Sequence, residues 1–145
     1  MMVKSSFLAT LLGLLAFSAV RAEPVQSSTD VFSDPQLIAI EQLLVEATNA
    51  QRARYGLPPL AVDNRLMSTA RRHTAWMANS GSLRHGNYPV AENIALGQET
   101  VEEVIRSWMN SSGHRANILG SRYSRLGVGA YQGPGGRVFW TQQFN

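Results

Sequence analysis

The chain has 145 residues, 44% hydrophobic and 16% charged, with 12 Gly, 6 Pro and no Cys. That length suits one domain, and the apolar fraction is that of a globular chain rather than a disordered one. A formal charge of +3 invites a nucleic-acid reading, while zero cysteines exclude disulfides, thiolate metal sites and a cysteine nucleophile.

Residues 1–22 read as a secretory signal peptide. Lys4 is the positive end, Phe7 to Val20 the apolar stretch, and small residues precede a cut at Glu23. As a helix that stretch covers about 21 Å, short of the roughly 30 Å hydrocarbon core of a bilayer. Residues 23–33 are polar and aperiodic, a flexible leader. The expected product is secreted or periplasmic, with no transmembrane segment after cleavage. Lys4 and Arg21 leave with the signal peptide and take most of the positive excess with them. No basic stripe interleaved with aromatics remains, so no nucleic-acid partner is expected.

The domain, residues 34–145, is expected to open at Asp34-Pro35, a cap followed by a proline in the first helical turn. Leu37, Ile40, Leu44 and Ala47 give that helix one apolar face; Gly56 and Leu57-Pro58-Pro59-Leu60 end it. A second helix runs from the cap Asp63 to about Asn79, with Leu66, Ala70, His73 and Met77 on one stripe, so His73 reads as a core or helix-surface histidine. Between Leu83 and Gly97 only short strand-like pieces are expected. Thr100 and Glu103 form a capping box before Val101, Val104, Ile105 and Trp108. Ser111-Ser112-Gly113 breaks that helix, and a short one follows over Arg115–Leu119.

The period then changes to two. Leu126, Val128 and Ala130 alternate with smaller or polar neighbours, Gly133-Pro134-Gly135-Gly136 turns, and Val138, Trp140, Gln142 and Phe144 alternate again. Helices first and a hairpin last indicate α+β. Arg52, Arg54, Arg65, Arg71, Arg72 and Arg106 lie on helices near carboxylates and read as a solvated face. Arg115, Arg122 and Arg125 form a denser group able to grip a carboxylate or phosphate.

Chemistry-bearing residues are few. His85 and His114 lie in glycine-flanked irregular segments, and Glu92 sits in the apolar run Val90–Ala95, where a carboxylate needs a partner. Two imidazoles and a carboxylate serve equally for metal binding or acid/base work, and their spacing matches no HExxH-type motif.

The ordered motifs ARRHTAWM (70–77), LRH (83–85), AENIA (91–95), SWMNSSGHRANIL (107–119), LGVG (126–129) and FWTQQF (139–144) resemble the CAP or SCP domain. That superfamily spans cysteine-rich secretory proteins, venom antigens, plant pathogenesis-related proteins and cysteine-poor bacterial relatives. The resemblance implies a three-layer α-β-α sandwich with a central antiparallel sheet, an extracellular or periplasmic setting, and a cleft lined by two His and two Glu. Carried across, His85 and His114 match the two histidines and Glu92 the glutamate of the AENIA motif. The second glutamate, three residues after Trp108, is replaced by Ser111.

With one carboxylate the cleft lacks an acid/base pair split by environment, which weakens a hydrolase reading. His85 and His114 can still hold Zn²⁺ with water completing its shell. Three functions follow from the resemblance. One is a non-catalytic module that binds a lipid, glycan or envelope component around His85, Glu92, Ser111 and His114. The second is a metal-dependent hydrolase with Glu92 as the catalytic base. The third is a structural domain whose remnant cleft pins loops.

Overall fold

The structure, a computed structural model, describes residues 38–145; the signal peptide, the 23–33 leader and the Asp34-Pro35 start lie outside the described residues. The elements run α1 (Ala39–Arg54), β1 (Ala61–Val62), α2 (Asn64–Ser80), β2 (Ala91–Leu96), α3 (Val101–Met109), α4 (Ser112–Ile118), β3 (Arg125–Gln132) and β4 (Val138–Phe144). Within the described residues the first helix starts at Ala39. Ile38 is extended at φ −75°, ψ 156°, and its N–H is taken by the Glu41 carboxylate at 3.2 Å. A first-turn acid satisfies an orphan donor there in place of a capping aspartate.

Helix α2 begins as expected, with Asp63 Oδ1 accepting from Leu66 N at 2.9 Å, and ends on left-handed Gly81. Helix α3 is capped by Thr100, which accepts from Glu103 N at 3.2 Å, and its predicted face, Val101, Val104, Ile105 and Trp108, is the buried one. The strand β2 is longer than the pieces foreseen. Its sequence Ala91–Leu96 hides its alternation because both of its faces are covered, Glu92 and Ile94 towards α2, Asn93 and Ala95 towards the other helices.

The sheet order is β1-β3-β4-β2. β4 pairs antiparallel with β3, Leu126 opposite Phe144, and with β2, Ala91 opposite Phe144. The two-residue β1 lies parallel to β3 at the edge, Ala61 opposite Arg125. The sheet is therefore mixed; its three longer strands are antiparallel, as expected. Helix α2 covers one face and α1, α3 and α4 the other, giving three layers in an α+β fold.

The two interfaces differ in kind. On the α1/α3/α4 side, Leu44, Trp108, Ile118, Leu126, Val128, Trp140 and Phe144 form the main core. Trp108 and Trp140 are almost wholly buried, each worth roughly 4–6 kcal/mol of hydrophobic stabilisation. Their indole N–H groups donate to Ile94 O and Gln98 O. On the α2 side the helix lies flush on β3 because Gly127 and Gly129 present no side chain. A Cβ at Gly127 would sit 2.2 Å from the Leu66 carbonyl carbon.

Arg52 corrects the solvated-face reading. It is fully buried, and its guanidinium donates to the carbonyls of Pro58, Ile118 and Gly120 at 2.9 Å and of Tyr123 at 3.4 Å. Burial lowers its pKa from the ordinary value. It ties α1 to the end of α4 and the loop before β3. Arg71 is held by the buried Glu41, whose carboxylate raises its pKa by hydrogen bonding and charge. The Arg115, Arg122 and Arg125 group does not converge: Arg115 stacks on Tyr55 and Arg122 on Tyr123.

Candidate functional site

The site forms where the 82–90 loop crosses the end of β2, beside α4. Glu92 is held on the α2 side of β2 with its side chain 7% exposed. Gly86 N donates to Glu92 Oε1 at 2.9 Å, and Gln143 Nε2, from the opposing position on β4, donates to Oε2 at 2.9 Å. Gln143 is itself oriented by Thr69 of α2, whose hydroxyl donates to its carbonyl oxygen.

His85 makes the third contact, with Nδ1 2.9 Å from Glu92 Oε1. A carboxylate only accepts, so Nδ1 carries a proton, and in the neutral ring Nε2 is then the nitrogen with the lone pair. The His85 side chain is 59% exposed, so that lone pair is available to solvent or a ligand. This is the arrangement by which a carboxylate fixes an imidazole's tautomer and orientation.

His73 belongs to the same cluster. It is buried, as its place on the apolar stripe predicts, and its Nε2 donates to Arg84 O at 2.9 Å. Nε2 also lies 3.8 Å from Glu92 Oε1, but the shorter carbonyl contact takes the proton. The ring stacks on Trp76 and meets Tyr88 edge-on. Gly86 is needed at the crossing: a Cβ there would lie 2.5 Å from the Tyr88 ring.

His114 is carried by α4. Its carbonyl accepts from Asn93 Nδ2 at 3.1 Å, and Asn117 Nδ2 reaches Asn93 Oδ1 at 2.9 Å and Glu92 O at 3.3 Å. These amides fasten α4 to the edge strand. Burial pushes the His114 imidazole below its ordinary pKa, and the neighbouring His85 pushes it the same way. The neutral ring is thus favoured, and His85 and His114 share one electrostatic neighbourhood.

Ser111 is the residue before α4. Its carbonyl accepts from Arg115 N at 2.8 Å, and its hydroxyl makes no cap bond. Among the described residues it shares no hydrogen bond with His85, Glu92 or His114. Gln143, Asn93 and Asn117 escape sequence reasoning. The available clue is polar residues within a strand bounded by Phe139 and Phe144, and an Asn directly after Glu92.

An α-β-α sandwich with two imidazoles and a buried glutamate at the edge of its sheet is the arrangement of a CAP-type domain. Residues 45–144 match the family described as "CAP: Cysteine-rich secretory protein family", and the chain belongs to that family. It is 37% identical over 144 residues to the uncharacterized protein YkwD of Bacillus subtilis, covering 88% of this chain and 55% of that protein. Among solved structures it is similar to an extracellular SCP-domain protein from Bacillus anthracis (30% identity, TM-score 0.64, 72% of this chain and 39% of that one). A cysteine-rich secretory protein from Staphylococcus aureus is also similar (25% identity, TM-score 0.57, 79% and 41%). The chain spans about half the length of YkwD and less of the other two. Among the described residues no helix is long and apolar enough to cross a membrane.

Proposed function

We propose that this chain is a non-catalytic, extracytoplasmic binding module whose cleft at His85, Glu92 and His114 takes a glycan or lipid component of the cell envelope. The observation that carries this reading is the engagement of Glu92. Both oxygens accept hydrogen bonds, from His85 Nδ1, Gly86 N and Gln143 Nε2, and the side chain is nearly closed to solvent. A general base must reach a substrate proton or its water. Glu92 instead orients His85, whose ring is the exposed one. The apolar run Phe7–Val20 and the extracellular relative from Bacillus anthracis support the setting.

The donor set does not fit a catalytic zinc. Such a site uses three protein ligands and one open position, and no group of three or more His, Cys, Asp or Glu among the described residues is arranged to hold a metal. If Zn²⁺ is taken up, His85 and His114 would be its imidazole ligands, and ligand binding is not expected to need it.

The test is retention of the purified protein on cell-wall glycan and on vesicles of envelope lipid, with and without a chelator, compared with the His85→Ala/His114→Ala variant. Retention that survives chelation and falls in the variant, with an unchanged melting temperature, supports the reading. Retention lost on chelation returns the metal-dependent alternative. No retention on either material overturns the binding reading, and a lowered melting temperature then favours a structural role for the cluster.

A further inference from the structure

Behind His85 lies a cavity of about 420 Å³ between α2 and the 82–90 loop. Arg72 of α2 and Arg84 of the loop line it, with Trp76, His85, Asn87 and Tyr88. We propose that this cavity is an oxyanion pocket that binds the carboxylate or phosphate of an envelope glycan. The proposal rests on the reading of the chain as an envelope-binding module and adds the chemistry its ligand must carry.

Four observations carry it. Two arginines from separate elements line one cavity, and among the described residues neither makes an ion pair with a carboxylate. Other arginines are occupied: Arg71 by Glu41, Arg52 by backbone carbonyls. Glu92, bonded to the lining residue His85, has both oxygens already engaged by His85, Gly86 and Gln143. A pair of guanidiniums not already engaged by a carboxylate is favourable beside an incoming oxyanion.

Arg84 is also held in place. Its guanidinium carbon lies 5.1 Å from the Trp76 ring centroid, and Trp76 is stacked on the buried His73, whose Nε2 in turn donates to the Arg84 carbonyl. A guanidinium held over an aromatic ring still has N–H donors to offer, and its planar fork suits bidentate carboxylate or phosphate binding. The remaining walls point to a sugar rather than a bare ion. Tyr88 closes against Gly86, and its ring with Trp76 offers amphipathic surface beside the donors, within the size range of a ligand pocket.

The test follows backbone amide shifts of the labelled protein on titration with N-acetylmuramic acid, with N-acetylglucosamine, which lacks the carboxylate, and with glycerol 3-phosphate. The expected result is that one or both anions shift amides around Arg72–Trp76 and Arg84–Tyr88, while N-acetylglucosamine does not. Response to the carboxylated sugar alone assigns a carboxylate ligand; response to the phosphate alone assigns a phosphate one. The Arg72→Gln/Arg84→Gln variant, altered at two exposed positions, keeps its melting temperature and binds at least about tenfold more weakly. The proposal is overturned if N-acetylglucosamine binds equally, if the double arginine variant binds the anions like wild type, or if none of the three shifts these amides. If retention on envelope material persists in that variant but fails in the His85/His114 variant, the pocket falls and the binding module stands. Arginine-dependent anion binding without retention on any envelope material leaves the pocket standing and the module overturned.

Discussion

The Nδ1–H of His85 donates to Glu92 Oε1 at 2.9 Å, joining an exposed imidazole to a buried carboxylate that Gly86 and Gln143 also hold. One hydrogen bond therefore sets which nitrogen of His85 faces outward. It also explains how a cleft with a single acidic residue stays ordered: three donors from the loop and from β4 stand around that acid. The amide of Gln143 comes from a strand position directly across from Glu92, so the sheet register itself supplies one of them.

Glu92→Gln tests that relationship. An amide has one acceptor where the carboxylate has two, so at least one of the three donors meets an N–H group. The variant is expected to lose about 1–3 kcal/mol of stability by urea denaturation. Nitrogen-15 NMR of the His85 ring should move from the Nδ1–H form to a tautomer mixture. A ring spectrum identical to wild type would show that Glu92 does not orient His85.

Arg52→Met removes the donor to four backbone carbonyls, that of Ile118 buried and the others partly so. The expected loss is at least about 3 kcal/mol, the scale for breaking a buried charged network. Amide exchange should rise first at the end of α4 and over 120–124, which Arg52 anchors. Unchanged denaturation would mean water replaces the guanidinium without penalty.

Gly127→Ala places a methyl against the backbone of Leu66 at 2.2 Å, where no side-chain rotation relieves the contact. Helix α2 must lift from β3. A loss of about 3 kcal/mol or more is expected in thermal or urea melts. Gly113→Ala is the control, since nothing lies within 4 Å of a Cβ there.

His114 gives a pH dependence with a definite sign. Its pKa in the fold lies below the ordinary 6.5, through burial first and His85 second. The unfolded chain therefore takes up this proton before the folded one as pH falls. The contribution to stability is fully present above 6.5 and is lost as pH drops from there through the folded value. Urea midpoints measured across that window should decline less steeply for His114→Asn than for wild type. Equal slopes would assign the acid sensitivity to other groups.

Helix α3 was legible because everything that forms it is local. Thr100 and Glu103 sit at its start, and Val101, Val104, Ile105 and Trp108 recur at helical spacing. The same holds for the Asp63 cap of α2 and for the β3–β4 hairpin, whose Gly135 and Gly136 adopt positive φ at the turn. Strand β2 and the Glu41 contact that caps α1 were not legible. In β2 the two faces are covered by different layers, so apolar and polar residues do not alternate. In α1 the orphan N–H of Ile38 is satisfied by Glu41, a residue that also reads as an ordinary surface acid.

The site was legible in part and for a different reason. Glu92 among apolar neighbours needed a partner on chemical grounds, but only the resemblance to the CAP domain connected it with His85 and His114. The contact of Glu92 with Gln143, 51 positions along the chain, leaves no periodicity to read. Arg52 shows the same limit: on helical spacing it is one more arginine near carboxylates, and in the fold it is buried with its donors on four carbonyls.

The sequence by itself determined the helices and hairpin, the family, and a chain that folds without disulfides, because capping, period and composition act over a few residues. Tertiary structure alone decided which side of the sheet each polar residue serves, that Glu92 orients His85, and that Arg72 and Arg84 line one cavity. Those outcomes depend on strand register and on the flush seating of α2 against Gly127 and Gly129, which bring together groups that lie far apart along the chain.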